Sequence, residues 1–378
     1  MGTYINPGNG TFAAFNNDDY VDKTMLIDYF NRNIGTIDKL LCIKCPPGFG
    51  KTYTARMLSS YFDRSCDSHS LFDDRKIALT ADYEKNLNGY NVIYLDMSDF
   101  VLEAREKGRP LADIPLIIEA AVAQDLKNSG FDAADGEPLE NTLLRIAGNP
   151  ENGPFVFIID EWDAPIRAAK NDRDAQKRYL GLLRFWFKNG NLTPNVVAAA
   201  FMTGILPIKA DGSESSVSDF HEYTMEFPGS FAGYIGFTEN EVRKLCSRHA
   251  VDFEEVRRWY GGYRFRDTDE IFNPSSVMAA VRSGLFRSYV TGTPEAEPLC
   301  SYISLGFDGL AEAVAELAGA MEVRVNTVGF ARDLTTFRSR DDVLTLLVHL
   351  GYLSYDAGRE TARIPNGEML EEFRRAST

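Results

Sequence analysis

No run of apolar residues approaches the roughly 20 needed to cross a bilayer, so no membrane-spanning helix is expected. The first ten residues lack the charged-then-apolar order of an export signal, and a cytoplasmic protein is expected. Cysteine is scarce: five residues, scattered, exclude a disulfide framework. Cys42 and Cys45 form a C-x-x-C, but there is no second pair and the four histidines are dispersed. The pair therefore reads as packed cysteines, since an unpaired thiol behaves as a small hydrophobe. Positive charge is in deficit, with 40 Lys and Arg against 55 Asp and Glu and a net charge of -15. That argues against binding DNA or anionic membrane over the whole surface, though not against a local basic groove. No internal repeat, Ser-His-Asp set or metal-histidine cluster stands out. The Glu-Lys pairs at 84–85 and 106–107 lack the strand setting that a nuclease site requires.

What is present is ordinary globular composition, 44% hydrophobic and 25% charged. At 378 residues the chain is long for one core, and two or three domains are expected. Its most informative stretch is Cys45-Pro46-Pro47-Gly48-Phe49-Gly50-Lys51-Thr52. Before it, Leu40-Leu41-Cys42-Ile43 reads as a buried strand; after it, Thr54 to Leu58 reads as a helix. Strand, glycine-bearing loop, Lys-Thr and helix is the setting of a phosphate-binding loop. Gly48 and Gly50 let successive N–H groups turn inward around phosphate oxygens, and the helix N-terminus adds partial positive charge. Lys51 is placed for the β- and γ-phosphates, and Thr52 for Mg²⁺. Residues Cys45, Pro46, Pro47, Gly48, Phe49, Gly50, Lys51, Thr52 and Tyr53 are the expected nucleotide contacts. Cys45 stands where G-x-x-x-x-G-K-[ST] has its first glycine, so the match needs support from elsewhere.

Support comes from three short apolar runs, Asn91 to Asp96, Phe155 to Asp160 and Val196 to Met202, each the pattern of a strand buried on both faces. Helical patterns separate them, notably Pro115 to Lys127 and Ala175 to Lys188, and His221 to Phe227 reads as a fifth strand. Strand–helix alternation predicts a doubly wound α/β sheet. One strand intervenes between the loop and the Ile-Ile-Asp-Glu strand, which by fold analogy favours the AAA-like branch of P-loop folds. Phe157-Ile158-Ile159-Asp160-Glu161 supplies the second nucleotide motif. Asp160 is expected to hold Mg²⁺ with Thr52, and Glu161 to activate the attacking water. Thr203, at the end of the next strand, is the expected sensor of the γ-phosphate, against the plainer reading of a hydroxyl bonded to local backbone. Asp163 reads as the cap of a helix opening near Ala164-Pro165. Asp96 and Asp99 read as turn and cap residues. Arg167, Arg178 and Arg184 read as surface charges on nearby helices.

Beyond Ala232 the pattern turns helical. Thr238-Glu239-Asn240-Glu241 is a capping-box start, Val242 to His249 and Phe253 to Tyr260 are helical, Gly261-Gly262 breaks the second, and Asn273-Pro274-Ser275 starts another. From Asp341 the order is helix, strand, turn at Asp356-Ala357-Gly358, strand and helix, the order of a winged-helix unit. The fold expected is α/β: a P-loop NTPase core with an AAA-like, five-stranded, mainly parallel sheet (residues 1–232), a helical lid (233–290) and a winged-helix-like domain (291–378).

Long strings then make the chain recognisable. They include Asn6-Pro7-Gly8-Asn9, Tyr20-Val21-Asp22-Lys23-Thr24, Ile159-Asp160-Glu161-Trp162-Asp163 and Met202-Thr203-Gly204-Ile205-Leu206-Pro207-Ile208-Lys209. Trp259-Tyr260-Gly261-Gly262-Tyr263, Asn273-Pro274-Ser275-Ser276-Val277 and Ile364-Pro365-Asn366 continue the series. In these the chain resembles the bacterial AAA-ATPase-like family whose members often carry a C-terminal PD-(D/E)XK-type nuclease domain. That family commonly reads Arg-Pro-Arg-Arg-Phe-Gly-Lys at the loop, so the missing first glycine is normal for it, while Cys45, Pro47 and Gly48 replace its arginines. The resemblance places a nuclease domain after Ile364-Pro365-Asn366, and none is expected in the residues up to Thr378. It places Tyr20 to Thr24 near the base or the loop. It implies an ATP- and Mg²⁺-dependent ATPase serving a nuclease- or DNA-linked system, with homo-oligomerisation open. The alternative is a nucleotide-dependent switch with negligible hydrolysis.

Overall fold

The apolar runs become strands. Leu40–Lys44 is β1, buried at every residue; Asn91–Asp96 is β2, Phe155–Asp160 is β3 and Val197–Gly204 is β4. His221–Tyr223 is β5. The computed structural model describes residues 2–207, 219–264, 270–290, 299–330 and 336–376. Among them these strands form one five-stranded sheet in the order β2-β3-β4-β1-β5. β2 and β3 are parallel from Asn91↔Phe155 to Asp96↔Asp160, and β3 and β4 are parallel with a register shift between Phe155 and Val156. The strand between β1 and β3 is thus β4, and β2 takes an edge. The expected α/β architecture is the one found.

Two strand limits differ from expectation. Val196 closes a short helix, Leu192–Val196, so β4 starts one residue later and runs on through Thr203 and Gly204. β5 stops at Tyr223 rather than Phe227. The Thr224 hydroxyl accepts the backbone N–H groups of Glu226 and Phe227, which turns the chain out of extended geometry.

The described chain divides into two compact units. One comprises Met1–Ile43, Thr52–Gly204 and Ile208–Glu222; the other comprises Lys44–Lys51, Ile205–Pro207 and Tyr223–Thr378. In the first, helices Lys51–Phe62, Met97–Glu106, Ile114–Asn128 and Arg173–Phe187 alternate with the strands. Phe157 of β3 packs against Trp186 and Phe187 with ring centroids 5.9 and 5.5 Å apart, contacts that exclude water from the sheet face. Asp96 caps the Met97–Glu106 helix through the N–H of Ser98, as expected. The Asn6 side chain pairs with the N–H of Val92 and with Asn91, and the Gly8 N–H reaches Asp63. The Tyr20 hydroxyl contacts Met57 on the Lys51–Phe62 helix, and Asp22 accepts the N–H groups of Thr24 and Lys76. The family strings at the N-terminus therefore brace β2 and that helix.

In the second unit Phe237–Thr238 (β6) pairs antiparallel with Ile271–Phe272 (β7). Thr238 and Glu241 form the expected capping box of helix Glu239–His249. Helix Phe253–Tyr260 ends at Gly261, and Asn273 caps helix Pro274–Ser283. Val323–Arg324 (β8), Ser354–Asp356 (β9) and Thr361–Arg363 (β10) make an antiparallel sheet in the order β8-β10-β9, flanked by helices Arg340–His349 and Gly367–Ala376. The sequence pattern showed β9 and β10; β8 is too short to carry a period.

Glu368, in the last helix, is fully buried. Its Oε1 accepts from the Ser276 hydroxyl at 3.0 Å and the Tyr289 N–H at 2.7 Å, and burial pushes its carboxyl up from 4.5 to about 7. A carboxyl raised on folding stabilises the protein below its unfolded pKa, and that contribution is lost as pH rises through the folded value. The loss across roughly pH 4.5 to 7 is expected to be about 3 kcal/mol. Urea denaturation at several pH values checks it: Glu368→Gln should remove this part of the pH dependence, and parallel wild-type and variant curves would refute it.

Candidate functional site

β1 delivers the chain into the glycine-bearing loop. Gly48 and Gly50 have φ of +82° and +86°, the left-handed region in which only glycine is unstrained. Cys45 is not among the positive-φ residues and is buried, so its position requires no glycine. The Lys51 ammonium, at the start of helix Lys51–Phe62, donates to the carbonyls of Cys45 at 3.3 Å and Pro46 at 3.2 Å. Alternating αL residues beside a helix start turn N–H groups to one side, a cradle for an anion.

The loop packs within the second unit, which sequence reasoning missed. The Ser275 N–H donates to the Gly48 carbonyl at 3.1 Å, and a Cβ on Gly48 would come within 2.8 Å of Asn273 Oδ1. Phe49 meets Tyr263 edge-on at 5.1 Å, and the Tyr263 hydroxyl donates to the Gly351 carbonyl at 2.7 Å. A Cβ on Gly351 would lie 2.6 Å from Pro46 Cβ. Pro46, Pro47 and Phe49 line a small cavity with Asn273, Gly351 and Tyr352. The available signal was the string Asn273-Pro274-Ser275, whose partner no local pattern names.

In the first unit, Thr52 is half-buried and Tyr53 is exposed, its ring stacked on Phe15 at 4.3 Å. Asp160, the last residue of β3, is fully buried. Its Oδ2 accepts from the Tyr94 hydroxyl at 3.1 Å and its Oδ1 from the Glu161 N–H at 3.1 Å. The Arg56 guanidinium lies 3.7 Å from the centroid of the Tyr94 ring. Burial first, then the charge of Asp160, pushes the Tyr94 hydroxyl well above its ordinary range, so it stays a donor.

Glu161 turns the chain with φ of +48°. Its Oε2 pairs with Arg167 Nη2 at 2.6 Å, and Arg167 Nε pairs with Asp163 Oδ2 at 3.1 Å. Two expectations are corrected here. Asp163 sits at the N-cap of helix Ala164–Ala168, but its side chain makes no capping bond. A carboxylate with no exposure takes a charged partner in preference to a backbone donor, and Arg167 supplies it. Arg167 is accordingly no surface charge, being 14% exposed, whereas Arg178 pairs with Asp174 in the open.

Thr203, the penultimate residue of β4, is buried. Its Oγ1 has no hydrogen-bond partner among the described residues, so the local backbone bond considered for it is not formed. Its carbonyl accepts the Trp162 N–H at 2.9 Å, and the Tyr179 hydroxyl donates to the Trp162 carbonyl at 2.6 Å. A side chain on Gly204 would collide with Trp162 and Asp163. The Glu161–Asp163 turn is thereby held against the end of β4. Ile208 and Lys209 of the sequence string lie outside the described residues.

The family model described as Predicted AAA-ATPase matches residues 8–213, more than half of the chain. The chain belongs to this family. The match spans the glycine-bearing loop and the ends of β3 and β4, and this predicted AAA-ATPase has the α/β P-loop NTPase fold. None of the curated proteins matches it. Among solved structures, the Aeropyrum pernix ORC2 protein in ADPNP–ADP complexes is similar at 14% identity and a TM-score of 0.41, covering 96% of each chain. Cdc6p from Pyrobaculum aerophilum is similar at 12% identity and a TM-score of 0.35, covering 96% of this chain and 97% of that one.

Proposed function

We propose that this predicted AAA-ATPase binds ATP with Mg²⁺ and hydrolyses it. The observation that carries the reading is the pair of left-handed glycines directly ahead of Lys51 and its helix. Residues 45–53 hold the phosphates, with Lys51 as their positive charge. Thr52 and Asp160 hold Mg²⁺: a hydroxyl and a carboxylate are the hard oxygen donors that ion takes. Bound Mg²⁺ neutralises charge on the phosphates. Glu161 orients and deprotonates water, and the Thr203 hydroxyl, without a hydrogen-bond partner among the described residues, reads the γ-phosphate. Lys51→Ala is expected to weaken ADP binding at least tenfold, measured by titration calorimetry. Equal affinity in wild type and variant would remove the loop from the site.

One observation favours a second reading, a nucleotide switch with negligible hydrolysis. The Glu161 carboxylate is engaged by Arg167, and a paired carboxylate is not free to take a proton from water. Wild-type turnover near zero with ADP retained through purification would support the switch.

From the resemblance alone we place this activity in a nuclease- or DNA-linked bacterial system, with residues 1–232 as the core, 233–290 as a lid and 291–378 as a winged-helix-like domain. Salt-dependent DNA binding is the check on that placement.

A further inference from the structure

We infer that Tyr94, with Arg56 behind it, is a positioning residue that fixes the Asp160 carboxylate for a divalent cation. The inference rests on the proposed role of Asp160. Tyr94 pairs with Ile158 in the parallel β2–β3 register, two residues before Asp160, so Tyr94 and Asp160 share one face of the sheet. The Tyr94 hydroxyl is bonded to Oδ2 at 3.1 Å, while Oδ1 takes the N–H of the adjoining residue at 3.1 Å. With each oxygen held from a different side, rotation of the carboxylate plane is restrained.

Arg56 stands one helical turn beyond Thr52, on the same face of the Lys51–Phe62 helix. Its guanidinium lies over the Tyr94 ring, and its Nε is buried with no hydrogen-bond partner among the described residues. A buried donor left unmade costs free energy, so the stack is retained against that cost. It pins the ring from which the hydroxyl projects. The arrangement joins the two proposed cation ligands, Thr52 and Asp160, through one helix face and one ring. Outer contacts of this kind orient metal ligands, and losing one typically weakens metal binding ten- to a hundredfold.

Tyr94→Phe deletes one oxygen and keeps the ring. The experiment titrates Mn²⁺, followed by its paramagnetic resonance signal, into the full chain with saturating ADP, and separately measures ADP affinity in EDTA. The expected result is Mn²⁺ affinity at least tenfold weaker in Tyr94→Phe, with metal-free ADP affinity unchanged within about twofold. Arg56→Leu, which removes the stack and leaves the hydroxyl, should weaken Mn²⁺ binding in the same sense. Wild-type Mn²⁺ affinity in Tyr94→Phe overturns the inference alone, because Tyr94 then merely satisfies a buried carboxylate. Wild type with ADP that takes up no more Mn²⁺ than ADP alone, read as an undiminished free-ion signal, overturns the metal reading of Asp160 and the inference together.

Discussion

Arg167→Ala is expected to cost about 3–5 kcal/mol of unfolding free energy, the range for removing one partner of a buried ion pair. The magnitude comes from Asp163, not from Glu161. The Asp163 side chain has no exposure and lies 3.1 Å from Arg167 Nε, whereas Glu161 at 13% exposure can turn toward water when its partner goes. Packing adds to the loss, because the Arg167 stem is itself mostly buried. Asp163 has no room to adjust, with Trp162 and Gly204 against it. Denaturant unfolding followed by circular dichroism reads the cost. The double variant Arg167→Met with Asp163→Asn should recover most of it, because it removes both charges together. A single-variant cost under about 1 kcal/mol would mean that the pair is solvated in solution.

Glu161→Gln is expected to lower turnover by two to four orders of magnitude, the usual contribution of a general base, while ADP binding is kept. The substitution is nearly isosteric, and the amide oxygen can still accept from Arg167, so the turn should persist. That matters because Glu161 holds a left-handed backbone, a conformation that costs on the order of 1 kcal/mol or more and persists only when its surroundings enforce it. Single-turnover hydrolysis checks the outcome. Equal rates in wild type and variant would remove Glu161 as the base, and rates near zero in both would favour the switch.

The sheet and its motifs were legible because continuous apolar runs admit few alternatives. The glycine-bearing loop was legible because Gly48 and Gly50 fall where the backbone must enter the left-handed region. Asp160 at the end of a buried strand was readable on the same grounds. The Glu161–Arg167–Asp163 cluster was not. It depends on a positive φ at a glutamate, which nothing in residue type announces, and Arg167 carries the label of an ordinary helix charge. The Asn273–Gly48 and Gly351–Pro46 contacts join residues far apart in the chain, so no local period records them. Tyr94 reads as one more apolar strand residue until the register sets it beside Asp160.

The stretch Lys44–Lys51 is threaded between β1 and the body of its following helix, yet it packs with residues from beyond Tyr223. A fragment cut at residue 222 would keep every letter of the loop motif and the whole stretch that the family model matches, but it would lack Asn273, Tyr263 and Gly351. The motif is thus a mosaic, written in one part of the chain and shaped by another. A change near residue 351 can alter the loop's shape without touching a motif residue.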